Sequence, residues 1–253
     1  MACSSPGLSN KVMRARRPQR PRQNDPLVSV ILCTYDRAGL VERAIRSVLR
    51  QTYRRWELVL VDDGSTDGSE LALAQLAKSD RRVVLISRAN RGLARSRNEG
   101  LALARGQFVA FLDSDDEVLP SHLRRHVDAM LRRPELDLLL STPGVIGPRR
   151  AQYVPDVERP GKRIHISRCH SAGSLFAKRS VLIESGGFPH LEFAEDYALI
   201  TRLKAHYRWG RARMSTYIIN CGAPVRMCDI YGRGGAQGLR KFRRGGQRTR
   251  RWR

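Results

Sequence analysis

Long apolar runs are missing from this 253-residue chain: no stretch approaches the roughly 18 consecutive apolar residues of a membrane-spanning helix. Paired cysteines are missing too. The five present (Cys3, Cys33, Cys169, Cys221 and Cys228) are an odd number at irregular spacing, with no Cys-x-x-Cys. That excludes a disulfide framework and a cysteine zinc site, and fits a reducing, intracellular compartment. Residues 1–24 contain no apolar core of a secretory signal, so none is expected; their Arg-rich, acid-free composition is shared with transit peptides. Internal repeats are also absent. The chain is 41% hydrophobic and long enough for one sizeable α/β domain.

Acids are scarcest at the two ends. Residues 1–24 carry Lys11, Arg14, Arg16, Arg17, Arg20 and Arg22 without an acid, and residues 233–253 carry nine Lys/Arg without an acid. Of the formal charge of +23, these ends hold fifteen, which leaves +8 for residues 25–232. The excess therefore belongs to two low-complexity tails, expected to be poorly ordered. Such tails suit anionic surfaces: lipid headgroups, acidic glycans or nucleic acid. Free use of Arg by a GC-rich genome is the alternative account.

Between the tails the patterning is regular. Val28–Thr34 is a continuous apolar, β-branched run, as in a strand buried on both faces. Leu40, Val41, Ala44, Ile45, Val48 and Leu49 come next at helical spacing. Glu57–Val61 predicts a second strand, and Asp67 through Glu70 has the spacing of a capping box before Leu71, Leu73, Ala74 and Leu76. Val83–Ile86 is a third strand, Leu93–Ala104 a helix ended by Gly106, and Gln107–Leu112 a fourth strand. Further on, a helix is expected over Ser121–Leu131 and a strand at Asp137–Leu140. The pattern is poor from Pro143 to Arg168. A strand at Gly173–Ala177, a short helix at Lys178–Glu184 closed by Gly186-Gly187, and a helix at Glu195–Ala205 are the last expected elements. Strands alternating with helices imply βαβ units, a mostly parallel sheet, and all early strand carboxyl ends on one edge.

Three of the first four strands end in acids: Asp36, then Asp62 and Asp63, then Asp113, Asp115 and Asp116. The ligand crevice of an open parallel sheet lies outside these ends. Six crowded carboxylates would repel one another, and a divalent cation is the natural compensation. Asp113 and Asp115 at a strand tip should share a face, and hard oxygen donors select Mg2+ or Mn2+. For Asp67 and Asp116, helix capping or loop solvation is the simpler account.

Val28-Ser29-Val30-Ile31, Thr34-Tyr35-Asp36-Arg37, Val61-Asp62-Asp63-Gly64-Ser65-Thr66-Asp67, Arg97-Asn98 and Phe111-Leu112-Asp113-Ser114-Asp115-Asp116 together resemble family 2 glycosyltransferases, inverting enzymes with the GT-A fold. The resemblance continues in Gly173-Ser174-Leu175-Phe176, Gly186-Gly187-Phe188 and Glu195-Asp196. It implies an α/β fold whose mostly parallel central sheet is flanked by helices, with a Rossmann-like nucleotide-binding half and an acceptor-side half. The expected domain covers 26–220, with basic tails at 1–25 and 221–253. It implies that Tyr35 and the backbone near Thr34 pack on the nucleotide base, and that Asp63 accepts from the base N3–H, which favours a UDP-sugar. Asp36, where the family usually has Asn, and Arg97 would lie near the diphosphate. Asp113 and Asp115 would hold Mg2+ or Mn2+ with Ser114 in the donor site, and Asp196 would be the catalytic base. The acceptor is expected to be a glycan or a lipid-linked acceptor. The location is expected to be cytoplasmic, with the tails in peripheral contact with an anionic membrane at its inner face; no nucleic-acid partner is expected.

Pro189 after Gly-Gly-Phe departs from the family, which often has Asp there. The segment after the first strand excludes other α/β nucleotide enzymes: Cys33-Thr34-Tyr35-Asp36 is neither a Gly-rich basic loop of a nucleotide-sugar pyrophosphorylase nor G-x-G-x-x-G. A phosphatase with an aspartyl nucleophile would need Asp-x-Asp after its first strand. The alternative from another class is a non-catalytic basic protein that binds nucleic acid or another acidic polymer through its Arg-rich tails.

Overall fold

A computed structural model of the chain describes residues 25–159, 161–191 and 194–223. Apart from Asp25 and residues 221–223, the expected basic tails lie outside the described residues.

The first half keeps the expected alternation: β1 (Val28–Thr34), α1 (Ala38–Leu49), β2 (Trp56–Asp62), α2 (Ser69–Ser79), β3 (Val83–Ser87), α3 (Leu93–Leu103) and β4 (Phe108–Asp113). The second half is more broken. It contains β5 (Glu117–Val118), α4 (His122–Leu131), β6 (Leu138–Ser141), β7 (Gly144–Ile146), β8 (Tyr153–Pro155), β9 (Arg163–His165), β10 (Leu175–Lys178), α5 (Arg179–Glu184), α6 (Glu195–His206), β11 (Trp209–Ala212) and β12 (Tyr217–Asn220).

Seven strands form the central sheet in the order β11-β6-β10-β4-β1-β2-β3. All pairs are parallel except those of β10, which runs against both β4 and β6. Alternate residues explain why β1, β2 and β4 read as unbroken apolar runs. Val30, Leu32, Leu58, Leu60, Ala110 and Leu112 pack with Val41, Ala44 and Val48 of α1, Leu73 of α2, and Leu123 and Val127 of α4. Ile31, Val59, Val61, Val109 and Phe111 pack on the other face with Leu101 of α3, Leu182 of α5, and Leu199 and Leu203 of α6. Each Val, Leu, Ile or Phe among these contributes about 1.5–3 kcal/mol when fully buried. Thr34 lies opposite Asp62 and Cys33 opposite Asp113, so the carboxyl ends of three strands stand level at one edge. A three-stranded sheet β5-β12-β7 and the hairpin β8-β9 stand apart from the central sheet.

Two details correct the local expectations. Asp67 forms no capping box: Gly68 takes the N-cap position of α2 without a side-chain cap, while Asp67 accepts from the Ala38 N–H at 2.8 Å and from Ser69. It thus ties the starts of α1 and α2 together. Helix α3 ends at Leu103, one residue short of the expected Ala104, which has extended ψ.

Helix α4 buries two histidines whose ring centroids are 4.3 Å apart. The His122 Nδ1 bonds the Thr216 hydroxyl at 2.9 Å and the His126 Nδ1 bonds the His122 carbonyl at 2.8 Å. Burial holds both below the ordinary imidazole value, His126 at about 4, so both are neutral at pH 7. Folded values below unfolded ones mean stability that is complete above about pH 6.5 and lost as pH falls toward about 4. For His126 alone the shift is worth about 3 kcal/mol at most. The raised carboxyls of Glu195, Asp116 and Asp196 act with the opposite sign over the same window, so the test is a difference: urea unfolding of the wild-type chain and of His126→Phe should show the wild type losing stability relative to the variant from pH 6.5 to 4.5. A wild-type-to-variant difference that does not change with pH over that window would contradict neutral burial of His126.

Candidate active site

The loops after β1 and β2 are laced together by their own acids. Asp62 accepts from the Ser65 N–H at 3.1 Å and the Ser65 hydroxyl at 2.5 Å, folding the Asp-Asp-Gly-Ser turn. Gly64 has φ +86°, and a Cβ there would meet the Asn90 N–H at 2.8 Å, so this turn needs glycine on both counts. Asp63 is 4% exposed and accepts from the Arg91 and Gly92 N–H groups at 2.9 and 2.8 Å and from Arg88 at 2.8 Å. Those bonds use about three of the four acceptor positions of a carboxylate, leaving one on Oδ2. Asp36 has left-handed backbone (φ 48°), a conformation Asp tolerates better than most residues. Its carboxylate accepts from the Thr66 N–H at 2.7 Å, and Asp36 is not among the residues lining the cavity described below.

At the end of β4 the geometry differs from a simple strand tip. The strand stops at Asp113 and the chain turns, with the Asp116 N–H donating to the Asp113 carbonyl at 3.1 Å. Asp115 lies in this turn beyond the strand end, so its placement beside the same cavity as Asp113 comes from the turn and not from strand pleating. Asp115 has its carbonyl held by Arg43 at 2.7 Å and its carboxylate 3.7 Å from Arg37. Asp116 is buried and accepts from the Tyr217 hydroxyl at 2.8 Å and the Asn220 N–H at 2.9 Å. Burial first, then the charges of Asp113 and Asp115, push its carboxyl well above the usual range.

Arg97 joins the two halves of the site. It is 4% exposed, bonds Asp113 at 2.6 Å, and bonds Glu195 through its other terminal nitrogen. Helix α6 begins at Glu195, preceded by Ala194 in left-handed conformation (φ 60°), a strained geometry for alanine worth about 1–3 kcal/mol. Asp196 is half-buried and accepts from the Ala172 N–H at 3.2 Å and the Tyr197 N–H at 2.7 Å. Burial raises its carboxyl and Asp113 adds to that, against the pull of Arg97. Glu195 is raised to about 7 by burial, again against Arg97.

These groups line one cavity of about 420 Å³, in the range of small-molecule sites. Thr34, Tyr35, Asp63, Arg97, Asp113, Ser114, Asp115 and Asp196 all line it; Asp36, expected near the diphosphate, does not, and neither does the strand-end acid Asp62. Tyr35 is 48% exposed, whereas Thr34 is buried with its hydroxyl unpartnered. Cys33 also lines the cavity, but burial pushes its thiol up to about 12, so it offers no thiolate. Arg37, Ser96, Glu195, Ile219 and Asn220 line it as well, without having been assigned a role from sequence. Glu195 stood in a quoted motif; Asn220 carried no signal, because it arrives on a four-residue strand from the far end of the chain.

The crowded acids are compensated largely by the chain itself. Asp36, Asp62, Asp63 and Asp116 are each held by backbone or side-chain donors. Among the described residues no group of three or more His, Cys, Asp or Glu is arranged to hold a metal ion alone. Asp113, bonded by Arg97, and Asp115, 3.7 Å from Arg37, both line the cavity. Two hard carboxylates fit a cation of the Mg2+ kind, which is held by one or two carboxylates together with substrate phosphates.

Comparison with known proteins bears on the family and the fold. TuaG of Bacillus subtilis, a candidate teichuronic acid biosynthesis glycosyltransferase, is 42% identical over 109 residues, 43% of each chain. An Escherichia coli UDP-Glc:alpha-D-GlcNAc-diphosphoundecaprenol beta-1,3-glucosyltransferase is 38% identical over 110 residues, again 43% of each chain. The likeness thus spans less than half the length of these relatives. Among solved structures, a Pyrobaculum calidifontis mannosyltransferase, in complex with GDP-Man and Mn2+, superposes with TM-score 0.64 at 22% identity, over 94% of this chain and 68% of that one. Residues 1–349 of Staphylococcus aureus TarS give TM-score 0.62 at 21% identity, over 88% and 72%. These likenesses establish a shared GT-A fold. The family described as Glycosyl transferase family 2 matches residues 29–184, well over half of the chain. That match gives no support to a non-catalytic polymer binder: the chain belongs to glycosyl transferase family 2.

Proposed function

We propose that the chain is an inverting glycosyltransferase that moves a sugar from a UDP-sugar to a hydroxyl of a glycan or lipid-linked glycan, assisted by Mg2+ or Mn2+. The observation that carries this reading is the single cavity that holds Asp113 and Asp115 at the end of β4 and Asp196 at the start of α6. The relatives agree with the class of chemistry: one is named for a UDP-glucose donor and a diphosphoundecaprenol-linked acceptor.

In the proposed step the acceptor oxygen forms a bond to the anomeric carbon while the bond to the nucleoside diphosphate breaks on the opposite face. Asp196 takes the proton of the attacking hydroxyl. Its raised pKa suits that task, since a base nearer the working pH drives proton transfer more strongly. A divalent cation between Asp113, Asp115 and the diphosphate would neutralise the charge that develops on the leaving group. Tyr35 would cover the base, the Thr34 hydroxyl would gain the partner it lacks, and Asp63 Oδ2 would use its remaining acceptor position on the base N3–H. An acceptor at that position favours uracil. Asp36 takes no part as a ligand in this reading; it holds the Thr66 loop in place.

A thermal-shift panel of UDP-, GDP- and dTDP-sugars with Mn2+ tests the donor. Ligand at about 100 times its dissociation constant stabilises by about 2.7 kcal/mol, a readily visible melting shift. UDP-sugars should give the largest shift. A shift confined to guanosine nucleotides, or none with any donor, would overturn the assignment.

A further inference from the structure

Tyr217 lies 101 residues after Asp116 in sequence, yet its hydroxyl lies against both ends of the Asp113–Asp116 turn. It donates to Asp116 Oδ2 at 2.8 Å and accepts from the Asp113 N–H at 3.2 Å, and Asp113 Oδ2 is 3.4 Å away. The side chain is fully buried, on a strand whose next bonds continue the same work: the Asn220 N–H donates to Asp116 Oδ1 at 2.9 Å. Tyr217 also pairs with Val118, just beyond the turn. The ring is fixed from the other side by Gly173, where an added Cβ would stand 2.1 Å from the Tyr217 Cζ. A hydroxyl this immobile, bonded to the first and last residues of a four-residue turn, determines where that turn places the carboxylates it carries.

We infer that Tyr217 is a positioning residue for the metal site: its hydroxyl and the Asp116 carboxylate clamp the turn so that Asp113 and Asp115 face the same cation. Tyr217 touches neither the cation nor the donor in this scheme. It acts as the outer partners of metal ligands do, by fixing the orientation of the carboxylates that bind. The glycine of Gly173-Ser174-Leu175-Phe176 then has a specific reason: it leaves room for this ring beside the sheet edge. The inference rests on the proposal that Asp113 and Asp115 hold Mg2+ or Mn2+.

The test is Mn2+ binding to the full chain in the presence of UDP, measured by electron paramagnetic resonance, with uridine binding and the melting temperature as controls. Tyr217→Phe keeps the ring and removes the hydroxyl. It should weaken Mn2+ binding by about 10–100-fold, the usual effect of losing such an outer partner, while uridine binding is unchanged. Asp116→Asn leaves the hydroxyl in place but removes one of the two acceptor oxygens of the clamp; it should shift Mn2+ affinity in the same direction and decides the matter if Tyr217→Phe does not fold. A purely structural role would lower the melting temperature and leave the Mn2+ affinity of the folded protein at the wild-type value, which overturns the inference. If the wild-type chain itself binds no Mn2+ with UDP, the metal assignment falls first and the inference with it; wild-type binding with an unaffected Tyr217→Phe removes the inference alone.

Discussion

Asp196→Asn should lower turnover by about 10²–10⁴ while leaving UDP and Mn2+ binding almost unchanged. The asparagine has nearly the same shape and keeps one oxygen, so it can still accept from either the Ala172 or the Tyr197 N–H that hold the carboxylate at 3.2 and 2.7 Å. It cannot accept both bonds as well, nor take a proton from an attacking hydroxyl. The groups proposed to meet the base and the cation are held by other donors: Asp63 by Arg88 and two backbone N–H groups, Asp113 by Arg97. Asp196 shares the cavity with them and is coupled to Asp113 through Arg97, whose charge acts on Glu195, Asp196 and Asp113 alike. Steady-state rates with isothermal titration of UDP and Mn2+ separate the two halves of the claim. A collapse of UDP binding in the variant would place Asp196 in the donor site or the fold and refute its role as base.

The mostly parallel sheet was legible because its strands are buried on both faces. Six apolar or β-branched residues out of seven in β1, Ser29 being the exception, and the run Leu58–Val61 in β2, leave no other economical placement. The later elements carry no such pattern. β7, β8 and β9 have three residues each and β5 has two, too short for an alternation to register. The direction of β10 could not be read either, since an apolar four-residue strand fits antiparallel pairing to β4 and β6 as well as parallel. Within the site, the residue types were legible and their division of labour was not. Asp36 and Asp63 are both acids beyond strand ends, yet one bonds a neighbouring loop outside the cavity and the other lines it; that difference comes from a positive φ at Asp36, which a sequence does not display. Tyr217 had no signal at all, because its role depends on a hydroxyl reaching across 101 residues of chain.

Removal of one carboxylate should show whether the turn after β4 holds a metal. Asp115→Ala should abolish Mn2+-dependent binding of the nucleotide sugar, and excess EDTA should do the same to the wild-type chain. Metal stabilisation of a departing diphosphate is worth several kcal/mol, so activity should fall by more than about 10². The fold should survive the change. Asp115 lies in a turn whose carbonyl stays bonded to Arg43 at 2.7 Å, an anchor that does not depend on the side chain. Its neighbour supplies the contrast. Asp116 is buried and satisfies the Tyr217 hydroxyl and the Asn220 N–H, so Asp116→Ala would leave the Asn220 N–H without this acceptor and the Tyr217 hydroxyl with only the longer contact to Asp113, and cost stability as well as binding. Melting temperature and Mn2+ titration measured together on the Asp115 variant therefore distinguish a lost ligand from a damaged fold. Wild-type activity in Asp115→Ala, or full activity of the unaltered chain in excess EDTA, would remove the metal from the mechanism. The arginines at the site, Arg37 and Arg97, would then be the groups left to meet the diphosphate charge.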